Sequence, residues 1–220
     1  MIISVRSILL CTSCLFLLAC GQGQNPAKTT IKPQGIVGGP FENGDFMYIG
    51  MPDNIASVDT SAGWQQAGQK LLITGTIYEL DGKTPAPNVI LYYYHTDVNG
   101  LYSAKAGLDT RVARHGYIRG WLKSDAQGKY AIYTVRPAAY PNSKEPAHIH
   151  PSIKEPGIDK EYYINAFVFD DDPLLTSASR QAMSNRGGSG ILRLLQEGDL
   201  HIAEHDIILG LNIPNYPKKN

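Results

Sequence analysis

From residue 70 onward the chain alternates short apolar runs with turn residues. Runs of this length that are rich in Val, Ile, Tyr and Phe and bounded by Gly, Asp or Asn are typical of β-strands. The predicted strands are residues 71–78, 88–96, 117–124, 129–135, 147–153, 162–169 and 201–209. Only residues 177–196 contain a pattern compatible with helix. The pattern predicts an all-β fold, an antiparallel β-sandwich with long loops and minor helix, with a barrel as the alternative.

One connection between predicted strands has a strong turn signature. Asp125-Ala126-Gln127-Gly128 separates the strand at 117–124 from the strand at 129–135. A short Asp- and Gly-containing turn between two apolar runs favours a β-hairpin. We therefore expect these two strands to pair with each other.

The first twenty residues have a different pattern. Arg6 is the only charged residue before an apolar run over Ser7–Ala19, which is too short for a comfortable membrane span and fits a signal-peptide core. Leu17-Leu18-Ala19-Cys20-Gly21 resembles the bacterial lipobox, whose cysteine receives lipid and becomes the first mature residue. The alternative is a plain signal peptide with an incidental cysteine. The resemblance implies an exported protein that is lipid-anchored to the cell envelope through Cys20, with Gly21 favouring the outer membrane.

The sequence predicts three segments. Residues 1–20 form the lipoprotein signal peptide, and residues 21–44, rich in Gly, Pro, Gln, Thr and Lys, form a flexible tether. Residues 45–220 form one domain, which is long enough to bury a core.

Charge and cysteine content narrow the functional classes. Lys plus Arg and Asp plus Glu are 20 each, so no global field attracts nucleic acid. The three cysteines, Cys11, Cys14 and Cys20, all precede the domain, which excludes disulfides and thiolate metal sites from it. A metal in the domain must therefore be held by His, Tyr, Asp or Glu.

Two histidines at the start of one predicted strand are candidate metal ligands. His148 and His150 are two residues apart, so in a strand both side chains project from the same face, while Ile149 points to the other. Neutral imidazoles are common metal ligands. The same spacing also occurs in surface histidines, so the pair alone does not decide the matter.

The order of motifs resembles that of the intradiol ring-cleavage dioxygenases. In chain order, the family has a Gly-Xaa-Pro turn, an aromatic strand, an Asp-Xaa-Xaa-Gly-Xaa-Tyr turn, an Arg-Gly strand, a second Asp-Xaa-Xaa-Gly-Xaa-Tyr turn, a Pro-containing Tyr segment and a Pro-Ala-His-Ile-His motif. The corresponding segments here are Thr84-Pro85-Ala86-Pro87, Tyr92-Tyr93-Tyr94, Asp97-Val98-Asn99-Gly100-Leu101-Tyr102, Arg119-Gly120-Trp121, Ser124-Asp125-Ala126-Gln127-Gly128-Lys129-Tyr130, Arg136-Pro137-Ala138-Ala139-Tyr140-Pro141 and Pro146-Ala147-His148-Ile149-His150. The resemblance covers about residues 71–210.

This resemblance implies a non-haem Fe(III) site with Tyr102, Tyr140, His148 and His150 as ligands. Phenolates are hard anionic donors that suit ferric iron. The implied reaction inserts both atoms of O2 into a small catechol-type aromatic diol, with intradiol ring cleavage to a muconate-type diacid. Tyr140 is also the implied catalytic group, because the family's corresponding tyrosine leaves the metal when the substrate binds and takes up a proton.

One position departs from the family pattern. Members usually carry an arginine directly before Pro-Ala-His-Ile-His, where this chain has Glu145. A carboxylate reverses the supporting charge that stabilises the activated substrate. We expect Arg119 or Lys144 to supply the cation in catalysis, with Arg111, Arg114 and Arg136 as further candidates, and the substrate to differ from simple catechol. The alternative is an iron site that persists without efficient ring cleavage.

Other aromatic and histidine residues have simpler expected roles. Five tyrosines (92, 93, 94, 130 and 133) are assigned to packing, and His95 and His115 to core or solvated positions, with a place at the pocket for one of them as the alternative. His201 and His205 lack a further predicted ligand. Two alternative functions remain open: a non-catalytic β-sandwich binding module, and a lipoprotein that captures metal, which would be zinc if the tyrosines were not ligands.

Overall fold

The computed structural model describes residues 35–42 and 44–217, which form a sandwich of two β-sheets. The strands are β1 (Val58–Thr60), β2 (Lys70–Tyr78), β3 (Ile90–His95), β4 (Arg119–Lys123), β5 (Lys129–Val135), β6 (His148–Lys154), β7 (Tyr162–Tyr163), β8 (Phe167–Phe169), β9 (Ile191–Leu192), β10 (Leu195–Glu197), β11 (Leu200–Glu204) and β12 (Ile207–Ile208). The predicted all-β sandwich with long loops is confirmed.

Both sheets mix parallel and antiparallel pairs. The first sheet has the order β1-β5-β2-β11-β10, and β12 also pairs with β2. The second has the order β4-β3-β6-β8-β9, and β7 also pairs with β6. The β1–β5, β2–β11, β2–β12 and β8–β9 pairs are parallel, so the pairing is not purely antiparallel as expected.

The core lies between the sheets because inward positions of both are apolar. β2 alternates buried and partly exposed residues over its first half, as a strand with one covered face should. Leu71 and Ile73 of β2 belong to the same buried cluster as Leu91 and Tyr93 of β3 and Phe167 of β8.

The predicted hairpin between the strands at 117–124 and 129–135 is wrong. β4 pairs with β3 in the second sheet, whereas β5 pairs with β1 and β2 in the first. The Asp125–Gly128 turn is real, because the Asp125 carboxylate accepts hydrogen bonds from the Gln127 and Lys129 amides. It is a corner that carries the chain from one sheet to the other.

Helix is scarce in the described ranges. Ser177–Gln181 is a five-residue α-helix, α1, with Thr176 as its N-cap. The predicted window reached Gln196, but glycines at 187, 188 and 190 adopt positive φ and interrupt it. None of the helices in the described part has the length and apolar character needed to cross a membrane.

Residues 35–50 form a segment that we call the strap, with a gap at residue 43. Val37 and Met47 are buried, and the Gly38 amide donates to the carbonyl of Pro214. Residues 35–42, which the sequence assigned to the tether, therefore pack against the domain. The remaining predicted tether, residues 21–34, and the predicted signal peptide and lipobox lie outside the described residues.

Candidate metal centre

The two predicted histidine ligands lie at the start of β6, in the second sheet. His150 is in register with Tyr94 of β3, and their rings stack with centroids 4.6 Å apart. Ala147 precedes the pair, and its amide donates to the Asp172 carboxylate, which fixes where the strand begins. The strand geometry puts both imidazoles on one face, as the spacing predicted.

The two predicted tyrosine ligands come from loops that are bound to each other. Tyr102 lies between β3 and β4, and Tyr140 lies between β5 and β6. Thr96 donates a hydrogen bond to the Ala138 carbonyl over 2.7 Å, and the Ala138 amide donates to the Asp97 carbonyl over 3.1 Å. These bonds hold the two loops side by side.

A glycine permits this close approach. Gly100 has φ of +78°, a conformation that favours glycine, and a Cβ there would overlap the carbonyl oxygen of Ala139. The Asp97 carboxylate closes the same turn by accepting bonds from the Asn99 and Leu101 amides.

The structure brings all four predicted ligands together. The phenol oxygens of Tyr102 and Tyr140 are 2.6 Å apart, and the Nε2 atoms of His148 and His150 are 2.9 Å apart. The Tyr140 oxygen lies 3.1 Å from His148 Nε2 and 3.3 Å from His150 Nε2. Four donor atoms from two loops and one strand thus lie close together.

The tautomer of His148 is set by its neighbour. Its Nδ1 lies 2.7 Å from the carbonyl oxygen of Pro146, which can only accept, so Nδ1 carries the proton. In the neutral ring Nε2 then presents its lone pair toward Tyr140 Oη and His150 Nε2. A fixed Nδ1–H is the usual arrangement of a metal-binding histidine.

Burial controls the protonation of the other donors. It lowers the pKa of His150 to about 3, with the nearby His148 ring adding to the effect, so this imidazole is neutral near pH 7. Burial also raises the pKa of both phenols, and the negative charge of Glu145 raises each further. Near pH 7 both phenols are therefore protonated, and a strong positive charge at the point where the donors converge would favour their ionised form.

An open cavity of about 470 Å³ adjoins this cluster, within the usual size range of small-molecule sites. Three ligand candidates border it, namely Tyr102, Tyr140 and His150. The remaining lining residues are Glu42, Tyr94, Arg114, His115 and Tyr163. His148 and Glu145 border a separate cavity of about 270 Å³.

His115 and Tyr94 form the aromatic wall of the larger cavity. Their rings stack with centroids 3.7 Å apart at 3°, and His115 Nδ1 lies 2.7 Å from the Tyr92 hydroxyl. Burial lowers the pKa of His115 to about 4, and the charges of Arg119 and Arg114 lower it further, so the ring is neutral near pH 7.

Tyr94, which the sequence pattern assigned to packing alone, also borders the cavity. Strand register could have indicated this position, because pairing of the 88–96 strand with the His148 strand places Tyr94 beside His150.

The two predicted catalytic cations lie elsewhere. The Arg119 guanidinium lies over the Trp121 ring at 4.6 Å and donates to the Ile49 carbonyl, outside the set of described residues that line the cavity. Lys144 is exposed and is likewise absent from that lining. Their catalytic roles stay predictions.

The remaining histidines have structural surroundings. His95 is buried, with Nδ1 bonded to the Thr96 carbonyl and Nε2 2.8 Å from the Thr134 hydroxyl. In the described part of the chain, no group of three or more His, Cys, Asp or Glu is placed to hold a metal. A metal at His148 and His150 therefore needs the tyrosines, and His201 and His205 gain no third ligand of these types.

Comparison with protein families gives one match that spans most of the described domain. A family model described as dioxygenase matches residues 44–188. The match includes both tyrosines and both histidines of the cluster.

Curated relatives share modest identity with the chain. It is 26% identical over 130 residues to catechol 1,2-dioxygenase of Acinetobacter baylyi, covering 52% of this chain and 41% of that protein. It is 24% identical over 176 residues to the protocatechuate 3,4-dioxygenase beta chain of Burkholderia cepacia, covering 73% of each. Chlorocatechol 1,2-dioxygenase of Pseudomonas sp. strain P51 is 28% identical over 143 residues, with 56% of this chain and 54% of that protein covered. The matched segment thus spans less than half of the catechol 1,2-dioxygenase.

Solved structures with the same fold include two dioxygenases. The dioxygenase domain of a carbohydrate-binding fusion protein from Streptomyces sp. SirexAA-E aligns with a TM-score of 0.52 at 20% identity, over 72% of this chain and 90% of that one. Hydroxyquinol 1,2-dioxygenase from Pseudomonas putida DLL-E4 aligns with a TM-score of 0.54 at 23% identity, over 83% and 68%. At these identities the likeness establishes the fold.

Proposed function

This chain belongs to the dioxygenase family, whose matched relatives are intradiol enzymes, and from that premise we propose that it is a non-haem Fe(III) intradiol dioxygenase acting on a catechol-type aromatic diol. The product would be a ring-opened, muconate-type diacid that contains both atoms of O2. The observation that carries the proposal is the convergence of two phenol oxygens and two imidazole nitrogens within 3.3 Å contacts.

The donor set fits ferric iron. Two neutral imidazoles and two potential phenolates combine nitrogen donors with hard anionic oxygen donors, and cysteine is absent from the domain. We infer that Tyr102, Tyr140, His148 and His150 would hold the metal. When bound there, ferric iron would supply the charge that ionises both phenols and the redox chemistry that lets a diol react with dioxygen.

The side chains around the site would bind and orient the diol. The ring walls of Tyr94 and His115 offer flat surfaces against which an aromatic ring can stack. Tyr140 is the central donor, because its phenol oxygen contacts the donor atom of each of the other three residues. Its Oη, as a phenolate, would take up a proton from an incoming diol hydroxyl.

The visible spectrum of the iron-loaded domain tests the proposal. We expect a tyrosinate-to-iron absorption band that Tyr102→Phe or Tyr140→Phe abolishes or shifts, and that Tyr133→Phe leaves unchanged. Tyr133 is a matched control because it packs on Trp64 from the first sheet. Adding catechol should shift the band and, in air, consume oxygen. A colourless protein that retains no iron would refute the metal centre.

Glu145 is the reason to consider a second function, in which the site binds iron without cleaving the ring. Its charge raises the pKa of both phenols, which opposes phenolate formation. Iron that is bound and coloured but gives no oxygen uptake with any diol would indicate metal capture without ring cleavage. Recovery of oxygen uptake in Glu145→Arg would attribute the loss to this carboxylate.

We further propose that the protein is exported and anchored through lipid on Cys20 to the cell envelope, at the outer membrane. Support comes from the apolar run before Leu17-Leu18-Ala19-Cys20-Gly21 in the sequence. Cells fed radiolabelled palmitate should label the wild type and Cys14→Ala but not Cys20→Ala. Equal labelling of both variants would contradict the anchor.

A further inference from the structure

The cavity beside the four donor atoms contains one arginine, Arg114, which lies in the last turn of a short 3-10 helix at Thr110–His115. His115, the next residue, is fixed by its stack on Tyr94 and its hydrogen bond with Tyr92. The backbone that carries Arg114 is therefore anchored to the cavity wall, although the side chain itself is exposed.

Arg111, Arg136, Arg180 and Arg193 each have a carboxylate partner in the described part of the chain, and Arg119 and Arg186 donate to backbone carbonyls, whereas Arg114 has neither kind of partner there. Arg111, on the same turn, forms an ion pair with Asp109. Arg136 pairs with Asp171, and Arg180 pairs with Asp170. Within the described residues Arg114 has no ion pair and no side-chain hydrogen bond. An arginine that borders a cavity with its donors unused is suited to bind an anion that arrives with a ligand.

The charge of Arg114 acts on the cavity. It lowers the pKa of Tyr94, Tyr163 and His115 relative to what burial and the other neighbours would give, and all three border the cavity. These effects reach residues on β3, on β7 and on its own turn. They agree with the geometric placement of the guanidinium at the cavity.

The negative charge of Glu42 limits which kind of anion could bind beside Arg114. Glu42 of the strap borders the same cavity and adds one negative charge to its wall. It repels a dianion more strongly than a monoanion, which disfavours a phosphate substituent. A planar carboxylate also matches the two parallel N–H groups of the guanidinium.

We propose that Arg114 is a specificity-determining residue that selects aromatic diols carrying a carboxylate substituent, by pairing its guanidinium with that carboxylate. This inference rests on the proposed ring-cleavage function and names its substrate class. Arg114 would fix the end of the substrate remote from the two hydroxyl groups, while the diol faces the four donor atoms.

The test compares 3,4-dihydroxybenzoate with its methyl ester, which keeps the ring and removes the charge. Dissociation constants are measured without oxygen on the iron-loaded full domain, and kcat/KM is measured in air. Because a charge-assisted pair contributes about 1.5–3 kcal/mol, we expect the acid to be preferred about tenfold or more over the ester. Arg114→Gln should bring the ratio close to one without weakening the ester, and Arg114→Lys should retain part of the preference.

Arg111→Gln is the matched control. Arg111 is three residues away, exposed and paired with Asp109, and its loss should keep the preference within about twofold of the wild type. Equal affinity of the wild type for acid and ester would overturn the inference while leaving ring cleavage intact. Equal weakening of both ligands by Arg114→Gln would also overturn it, because Arg114 would then serve the diol. If neither ligand binds or is cleaved while catechol is, the inference fails and the proposed function stands. If catechol is not bound or cleaved either, the proposed function fails and the inference fails with it.

Discussion

At the scale of single residues, one glycine lets the tyrosine-bearing loops meet. Gly100 has a positive φ, and its α-carbon faces the Ala139 carbonyl so closely that a side chain has no room. Two constraints therefore coincide there, one on backbone conformation and one on space.

Gly107 is subject to the constraint on backbone conformation but not to the constraint on space. It has a similar φ of +84°, yet a Cβ built there meets nothing within 4 Å. Gly107→Ala should cost about 1 kcal/mol from the conformation alone, whereas Gly100→Ala should cost at least about 1 kcal/mol more because the loop from Ala139 must shift. Urea unfolding of both variants gives the two free energies. Iron retention should fall only in Gly100→Ala, and equal behaviour of the variants would contradict the role given to the contact.

The sequence predicted the four donor residues because strand periodicity and motif order suffice for them. Period-two spacing places His148 and His150 on one face, whereas Tyr102 and Tyr140 were implied by the resemblance of their motifs to the dioxygenase family. The cavity wall was not predictable in the same way. Tyr94 and His115 meet only through strand register and a turn that returns to the sheet, and Arg114 was one of several cations until the fold placed it.

At the scale of elements, the corner at Asp125–Gly128 shows the limit of local patterns. Its turn residues are those of a hairpin, and the Asp125 carboxylate is bonded as a tight turn requires. Which strands pair is decided by the apolar faces, because β4 and β5 each cover a different side of one core. Local sequence therefore predicted the turn and both strands but not their partners.

A second corner, between β11 and β12, contains a buried histidine. Burial lowers the pKa of His205 to about 4 against the opposing effect of Asp206, and its ring packs on Phe167 of the other sheet at 4.7 Å. An unfolded histidine titrates near 6.5, so the unfolded state binds more protons between these values. Stability is therefore complete above about pH 6.5 and falls as the pH drops toward 4.

The free energy of unfolding of the wild type should fall when the pH is lowered from 7 to 5. In His205→Gln we expect this fall to be smaller by about 1–2 kcal/mol. Urea unfolding at both pH values measures this difference. Part of the acid loss should persist in the variant, because burial lowers the pKa of His95 to about 4 as well. Parallel pH profiles of the two proteins would show that His205 is not charged on unfolding in this range.

At the scale of the whole molecule, the strap joins the N-terminal part of the described chain to the site. Met47 packs against Tyr92 and Tyr94, and the Trp121 indole donates to the Met47 carbonyl over 2.5 Å. Glu42 borders the cavity from the same segment. The strap thus completes both the cover of the second sheet and the wall of the cavity.

Two shortened proteins test this role. A chain starting at residue 35 keeps the strap and should unfold with the free energy of the chain that starts at residue 21. A chain starting at residue 51 loses Val37 and Met47 and should be less stable by roughly 3–6 kcal/mol, the hydrophobic contribution of two buried side chains. Chemical unfolding measures both values. Equal stability of the two shortened proteins would show that the strap is dispensable.

The loop that bears Tyr140 leaves β5 in the first sheet and enters β6 in the second, whereas Tyr102 and both histidines belong to connections and strands of the second sheet alone. Any ion that gathers all four donors therefore acts as a removable cross-link between the two halves of the sandwich. Occupancy should slow the rate at which the sheets separate, so amide hydrogens in β5 and β6 would exchange more slowly in the loaded protein than in the empty one. The same atoms that would hold the metal for the chemistry would then also set the lifetime of the folded state.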